Sequence, residues 1–123
     1  MLKYGILILC ALILFSCKKN GTGGEAMITA YVNHKGNPVN LPTIYVKYGA
    51  KTQPSSPTTD YDQVIQGVHE NHVHIKYLRY GNYYLYATGF DSIANRAVSG
   101  GLAVKVKWSK RKLETEAYIE ASD

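Results

Sequence analysis

From Ala26 onward, apolar and polar residues alternate at every second position in a series of short runs, each bounded by turn-forming residues. Successive side chains of a β-strand point to opposite faces, so this period is typical of strands with one buried face. No run shows a helical period of useful length. Several short strands at this spacing predict an all-β fold, a single antiparallel β-sandwich of about seven strands over residues 26–123.

The clearest runs also predict how some of the strands are connected. Residues 78–81 are expected to join two successive strands as a hairpin, and the Gly100-Gly101 pair predicts a bulge or a bend. The final strand has one wet and one dry face, which is typical of a sheet surface or edge. The predicted strands are 27–32, 43–48, 72–77, 82–87, 97–108 and 113–121.

The N-terminus differs in character from the rest of the chain. A single positive charge, Lys3, precedes an apolar stretch of 12 residues from Tyr4 to Phe15. A helix needs about 20 apolar residues to cross the hydrocarbon core of a bilayer, so this stretch is too short for a permanent span. Its position and composition predict a cleaved secretion signal over residues 1–16.

The end of that stretch, Leu14-Phe15-Ser16-Cys17, resembles the lipobox of bacterial lipoproteins, with an aliphatic residue three positions before the cysteine and a small residue directly before it. The resemblance implies cleavage before Cys17, lipidation of its thiol and acylation of its new amino group, and two or three acyl chains make membrane attachment stable. In such lipoproteins an Asp directly after the cysteine favours retention in the inner membrane. Lys18 at this position favours the outer membrane instead, on either its periplasmic or its outer face. Residues 17–25, which include three glycines, are expected to form the lipidated cysteine and a flexible tether.

Cysteine use and net charge exclude several classes of function. The lipobox resemblance implies that Cys10 leaves with the signal and that Cys17 carries lipid, so the folded part is expected to have no thiol for a disulfide, a nucleophile or a metal site. The net charge of +5 falls to +4 when Lys3 is removed, and a nucleic-acid partner is not expected for an envelope protein of such mild charge. No phosphate-binding glycine loop, nucleophile elbow or Ser, His and Asp set is recognisable, which predicts a protein that is not an enzyme and uses no cofactor.

Turn and core motifs along the domain carry a second resemblance. Gly36-Asn37-Pro38-Val39 leads into Ile44-Tyr45-Val46-Lys47-Tyr48-Gly49, residues 78–91 read LRYGNYYLYATGFD, and Val98-Ser99-Gly100-Gly101 follows. These motifs resemble a group of small, uncharacterised bacterial lipoproteins whose domain is similar to the transthyretin-like, carboxypeptidase-regulatory-like (Ig-like) sandwich. Hydroxyisourate hydrolase, an enzyme of the broader fold, ends in Tyr-Arg-Gly-Ser. This chain ends Glu120-Ala121-Ser122-Asp123, so the resemblance does not imply that activity.

Two features are candidates for recognition. Residues 49–60 form a long loop rich in Pro, Ser and Thr, and loops of this length often carry function. Tyr45, Tyr84 and Tyr86 fall on strand faces opposite the predicted core positions, because Tyr83 and Leu85 are expected to point inward. These three tyrosines are a candidate exposed aromatic binding surface, unless packing between the two sheets claims them instead.

Three of the four histidines fall within residues 69–74. His72 and His74, at positions i and i+2, project from one face of a strand, and His69 could reach round from the preceding loop as a third ligand for Zn, Cu or Ni. Alternatively, both histidines and Lys76 are simply the solvated face of that strand. The alternative buries Val73, Ile75 and Tyr77.

Two short motifs point to roles at the surface. Asp91-Ser92-Ile93 matches the pattern at which some bacteria O-glycosylate envelope proteins, with Ser92 as the acceptor, or else forms a turn capped by the Asp91 side chain. The run Lys110-Arg111-Lys112, beside Lys107 and Trp108, could contact phosphates, acidic glycans or anionic lipid head groups, or could be a solvated turn.

These observations predict a non-enzymatic lipoprotein of the cell envelope, held at the outer membrane by Cys17. Its expected role is that of a binding or accessory module for another envelope protein or a glycan. The alternative is a metal-binding envelope protein that uses His69, His72 and His74.

Overall fold

A computed structural model describes residues 20–54, 60–68 and 70–123. This part of the chain is all-β, as predicted, and its only helical element is a 3-10 turn over Trp108–Lys110. None of its elements is a helix long and apolar enough to span a membrane. The strands are β1 (Thr22–His34), β2 (Asn37–Pro38), β3 (Thr43–Tyr48), β4 (Gln63–Gln66), β5 (His72–Leu78), β6 (Gly81–Asp91), β7 (Arg96–Val106) and β8 (Glu114–Glu120).

The strands form two four-stranded sheets. In sheet I, β1 pairs antiparallel with β2 and β5 and parallel with β8, whereas sheet II is antiparallel in the order β4-β3-β6-β7. The parallel pair departs from the antiparallel sandwich predicted from sequence. It arises because β7 ends at the end of the molecule where β1 begins, so that the chain crosses to sheet I and β8 runs in the same direction as β1.

The core lies between the sheets and is built from alternate residues of each strand. Ile44 and Val46 of β3 are buried while Tyr45 and Lys47 between them lie on the other face, as the alternation predicts. Burial of an aliphatic or aromatic side chain of this kind contributes about 1.5–3 kcal/mol. The largest fully buried hydrophobic side chains are Tyr83, Ile28, Ile44, Ile75, Leu78, Leu85 and Ile119.

The hairpin predicted through residues 78–81 is wrong. β5 pairs with β1 in sheet I, and β6 pairs with β3 and β7 in sheet II, so the connection is a corner between sheets. The backbone of the corner is bonded to the start of β1 instead: Arg79 N–H donates to Gly21 O at 2.8 Å, and Tyr80 O accepts from Asn20 N–H at 2.8 Å. The hydroxyl of Tyr83 donates to Arg79 O at 2.6 Å, which is the expected tyrosine contact at such a corner.

The first strand begins earlier than the sequence predicts. The sequence predicts a flexible tether through residue 25, yet β1 starts at Thr22 and pairs there with Leu78. Gly24 lies so close to the backbone of Leu78 that a side chain at that position would collide with it. The glycines of this segment permit close packing, and the part of the tether that precedes residue 20 lies outside the described residues.

A bulge in β5 changes the face of one predicted core residue. Ala26 of β1 lies opposite Leu78, and Ile28, two residues later, lies opposite Ile75, so β5 has one extra residue in this interval. The alternation therefore changes phase, and Tyr77, expected at the buried face, is 71% exposed with a φ of 61°. Leu78 takes the buried position instead.

The glycine pair in β7 does not interrupt the strand. Gly100 and Gly101 lie opposite Ala87 and Tyr86 in an unbroken register, so the predicted bulge or bend is wrong. The two glycines instead allow neighbouring groups to approach the β7 backbone closely. A Cβ on Gly100 would lie 3.0 Å from the Cα of Ala121, and a Cβ on Gly101 would meet the ring of Tyr84.

Candidate functional site

Four tyrosines lie together on the outer face of sheet II, and we call them the tyrosine platform: Tyr45 of β3, Tyr84 and Tyr86 of β6, and Tyr61 just before β4. The ring centroid of Tyr45 lies 5.6 Å from that of Tyr61 and 6.0 Å from that of Tyr86. Tyr61 stacks on Tyr86 with centroids 6.2 Å apart. These separations are typical of favourable aromatic pairs. All four residues are half-buried, so the cluster has both packed and solvent-facing parts.

Strand register brings the platform together. Tyr45 lies directly opposite Tyr86, which in turn lies opposite Gly101 of β7. Because Gly101 has no side chain, the ring of Tyr84 can lie over it, and a Cβ there would come within 2.8 Å of Tyr84 Cζ. The Tyr84 ring thus fills the space over Gly101 and extends the platform across the outer face of β7.

Tyr61 is held at the platform by the residue that follows it. Asp62 accepts a 2.8 Å hydrogen bond from the backbone N–H of Tyr48, and its own N–H donates to Val46 O at 2.9 Å. Burial, followed by the nearby Tyr84 and Tyr86 hydroxyls, raises the pKa of Tyr61 to about 12. The Tyr61 hydroxyl therefore stays protonated at neutral pH, and it has no hydrogen-bond partner within the described residues.

The structure places the predicted binding residues Tyr45, Tyr84 and Tyr86 on one face, opposite the buried Tyr83 and Leu85. The alternating pattern does not predict Tyr61, which belongs to no alternating run. A signal existed in the β3–β4 pairing, since an antiparallel partner strand beginning at Gln63 brings the residues before it alongside the end of β3. Of the predicted recognition loop 49–60, residues 55–59 lie outside the described part of the chain.

The second candidate cluster lies on the outer face of sheet I. The rings of His72 and His74 are 5.1 Å apart, and Thr29 Oγ1 lies 3.0 Å from His74 Nδ1. His69, the third proposed ligand, lies outside the described residues. Within the ranges that the structure describes, no three His, Cys, Asp or Glu side chains are grouped to hold a metal ion.

A buried polar network, which no sequence motif predicts, lies at the end of the sandwich where β1 and β6 terminate. His34 is 2% exposed and its Nδ1 donates to Asp91 Oδ2 at 2.6 Å. Its Nε2 lies 2.8 Å from Asp123 Oδ1 without hydrogen-bond geometry, and Arg96 binds the other Asp123 oxygen at 2.6 Å. Because His34 and Asp91 are both buried, this pair has no access to a substrate and serves the fold.

Two predicted modification sites have different surroundings. Ser92 is exposed in the turn between β6 and β7, and the Asp91 carboxylate caps that turn by accepting from the N–H groups of Ile93 and Ala94 at 2.9 and 3.1 Å. The capping role predicted as the alternative for this motif is confirmed. Cys17 lies outside the described residues.

The chain matches no protein-family model and no curated protein sequence.

Proposed function

We propose that this protein is a lipid-anchored binding module of the bacterial cell envelope, which recognises a glycan through the tyrosine platform and performs no chemistry itself. The observation that carries the proposal is the clustering of Tyr45, Tyr61 and Tyr86, with ring centroids 5.6–6.2 Å apart, on one outer sheet face. The anchor is supported by the lipobox-like Leu14-Phe15-Ser16-Cys17 after a short apolar stretch.

A glycan fits the chemistry of this face. Tyrosine combines an apolar ring with a polar hydroxyl, and a sugar ring likewise has an apolar face and hydroxyls at its rim. Val64, opposite Tyr45 in the β3–β4 register, is 56% exposed and extends the apolar surface.

The same groups favour binding over catalysis. A phenol with a raised pKa, such as that of Tyr61, is a poor general base at neutral pH. Asp62, the carboxylate next to it in the chain, is engaged by the Tyr48 N–H at 2.8 Å and lies 3.6 Å from Lys47 Nζ. The residues of the platform therefore supply surface and hydrogen bonds.

The proposal is tested with the mature protein purified from membranes in mild detergent. Binding to soluble muropeptides and to envelope polysaccharide fragments is measured by calorimetry for the wild type and the Tyr45→Ala/Tyr86→Ala variant. We expect at least a tenfold weaker affinity for the variant, since each lost aromatic contact contributes about 1 kcal/mol or more. Tyr118→Ala is the matched control, because Tyr118 is 61% exposed on the opposite sheet.

Four results would contradict the proposal. Equal affinity of the wild type and the platform variant would remove the tyrosine platform as the site, and cross-linking of the platform to an envelope protein alone would replace the glycan by a protein partner. Absence of acyl mass on the purified protein, or its presence in a Cys17→Ser variant, would remove the anchor at Cys17.

A further inference from the structure

One end of the sandwich gathers the start of β1, the corner between β5 and β6, and the crossing from β7 to β8. Asn20 N–H donates to Tyr80 O at 2.8 Å, and Met27 N–H donates to Leu113 O at 3.1 Å. The rings of Tyr80 and Trp108 meet edge to face with centroids 4.7 Å apart. We call this region, formed by residues 20–25, 49–54, 60, 79–81 and 105–114, the entry end, because the described chain enters the fold here.

The entry end is strongly basic. It contains seven Lys and Arg residues against three acidic residues, Glu25, Asp60 and Glu114. Three of the lysines, with Trp108, line one cleft beside Gly81 and Asn82. The basic residues are Lys51, Arg79, Lys105, Lys107, Lys110, Arg111 and Lys112.

The same end exposes amphipathic and apolar side chains. Trp108 is 59% exposed, and the Arg111 guanidinium carbon lies 4.1 Å from its ring centroid. Leu113, five residues further on, is 57% exposed. Trp and Tyr favour the interface between water and bilayer, where the ring contacts acyl chains and the polar atom stays hydrated.

The position of Cys17 relative to this end decides what the basic surface faces. Only Lys18 and Lys19 lie between Cys17 and Asn20, and the three residue steps span at most about 11 Å in an extended chain. Asn20 itself is fixed to the entry end, since its Oδ1 accepts from Asn82 N–H at 2.7 Å. A lipid on Cys17 therefore holds this end within about one Debye length of the head groups.

We propose that the entry end docks on the anionic phospholipid surface, with lysines around phosphate groups in the cleft and Trp108 at the interface. The proposal rests on the lipid anchor of the proposed function. Docking orients the domain, with the buried network of His34 and Asp91 at the end that points away from the bilayer. The tyrosine platform then stands on the side of the molecule, open to a ligand.

The test uses Trp108, which is the only tryptophan of the chain. The mature lipidated protein is reconstituted in vesicles of phosphatidylcholine alone, or of phosphatidylcholine and phosphatidylglycerol in equal parts. We expect a blue-shifted emission and at least a twofold lower acrylamide quenching constant in the anionic vesicles, and loss of both in high salt. Lys107→Glu should weaken docking by about tenfold, seen as release of Trp108 at lower salt.

Lys35→Glu is the matched control, because Lys35 is an exposed lysine in the β1–β2 turn at the opposite end. We expect it to behave as the wild type. Equal quenching of Trp108 in the two kinds of vesicle, in protein whose mass shows the acyl chains, would overturn the docking proposal alone. Purified protein whose mass shows no acyl chains would instead contradict the lipid anchor of the proposed function. If Lys107→Glu and Lys35→Glu weaken docking equally, the attraction depends only on the net charge of the protein, and the proposal of a dedicated docking surface is overturned.

Discussion

His34 Nδ1 donates a 2.6 Å hydrogen bond to Asp91 Oδ2 and joins the last residue of β1 in sheet I to the last residue of β6 in sheet II. The second Asp91 oxygen accepts from two backbone N–H groups of the following turn. Both side chains are buried, and the buried Asp91 carboxylate is tolerated because both of its oxygens accept hydrogen bonds. This pair links the two sheets at one end of the sandwich. At the other end the Tyr83 hydroxyl links β6 to the residues before β1 and to the corner, through Gly21 N–H and Arg79 O.

Replacing His34 with Ala should destabilise the fold strongly. The change leaves the Asp91 carboxylate buried without its side-chain donor and opens a cavity, and we expect the Tm to fall by roughly 10 °C or more. Thermal unfolding followed by circular dichroism measures this effect. His72→Ala, on the outer face of sheet I, should shift the Tm by no more than a few degrees, and equal losses in both variants would argue against a special role for His34.

The same contact makes stability depend on acid. The hydrogen bond from His34, followed by that from the Ala94 N–H, lowers the pKa of Asp91 below its ordinary value of 3.8. The unfolded chain therefore binds this proton more readily than the folded protein. The stabilisation is fully present well above pH 4 and is lost as the pH falls through the lowered pKa.

Urea unfolding between pH 6 and pH 2 tests this dependence. We expect the free energy of unfolding of the wild type to fall below about pH 5, and that of Asp91→Asn to fall less steeply. The hydrogen bond from Arg96 also lowers the pKa of Asp123, so the stabilisation by Asp123 is likewise lost as the pH falls. The variant Asp123→Asn is therefore measured in parallel. An unchanged slope in Asp91→Asn would assign the acid sensitivity to other groups.

Local alternation was sufficient to predict most strands but not their partners. The strand at 43–48 has the predicted bounds, and 72–77 and 82–87 lie within β5 and β6. Whether two successive strands pair with each other depends on contacts distant in sequence. Here the backbone of Arg79 and Tyr80 is bonded to residues 20 and 21, about 60 positions earlier, and no local pattern carries that information. The four residues of β4 form too short a run to stand out from the loop before them.

For the candidate site as well, local alternation predicts the residues that lie on strands but not those that only strand pairing brings to the site. Tyr45, Tyr84 and Tyr86 follow from the period of two, because each strand assigns its own outward residues. Tyr61 lies in a non-repeating segment, and only the β3–β4 pairing brings it to the platform. His34 lies outside the predicted strand 27–32, and no local pattern predicts its burial, because that burial depends on Asp91, 57 residues later.

Removing the Tyr83 hydroxyl should cost stability without changing the core. Tyr83→Phe keeps the buried ring but loses the 2.6 Å hydrogen bond to Arg79 O and leaves the Gly21 N–H, which donates to the hydroxyl at 2.8 Å, without its acceptor. We expect the free energy of unfolding to fall by about 1–2 kcal/mol. Chemical denaturation measures this loss, with Tyr77→Phe as the exposed control, and no difference between the two would show that the corner bonds contribute nothing.

The early start of β1 gives a direct test of where the fold begins. A Cβ on Gly24 would lie 2.6 Å from the carbonyl carbon of Leu78 and 2.8 Å from the Cα of Arg79. Gly24→Ala should therefore push β1 away from β5 and lower the free energy of unfolding by about 1–3 kcal/mol. In a flexible tether the same substitution would have no effect. Glu25→Ala, next in the chain and exposed, is the control, and equal stability of both variants would mean that residues 20–25 lie outside the cooperative fold.

The last test separates the shape of the tyrosine platform from its composition. Gly101→Ala adds one methyl group where the ring of Tyr84 now lies, and that ring must move because its Cζ would be 2.8 Å from the new Cβ. The obstacle is the far end of a side chain, so the ring can turn outward and the change in Tm should be only a few degrees. If the platform binds a glycan through its present arrangement, calorimetry with the muropeptides and polysaccharide fragments should show a severalfold weaker affinity although all four tyrosines remain.

Ala103→Ser, one outward position further along β7, adds a single oxygen atom at a site that faces solvent and should leave the affinity unchanged. Equal affinity of Gly101→Ala and the wild type would place recognition on Tyr45, Tyr61 and Tyr86 without any contribution from the Tyr84 ring.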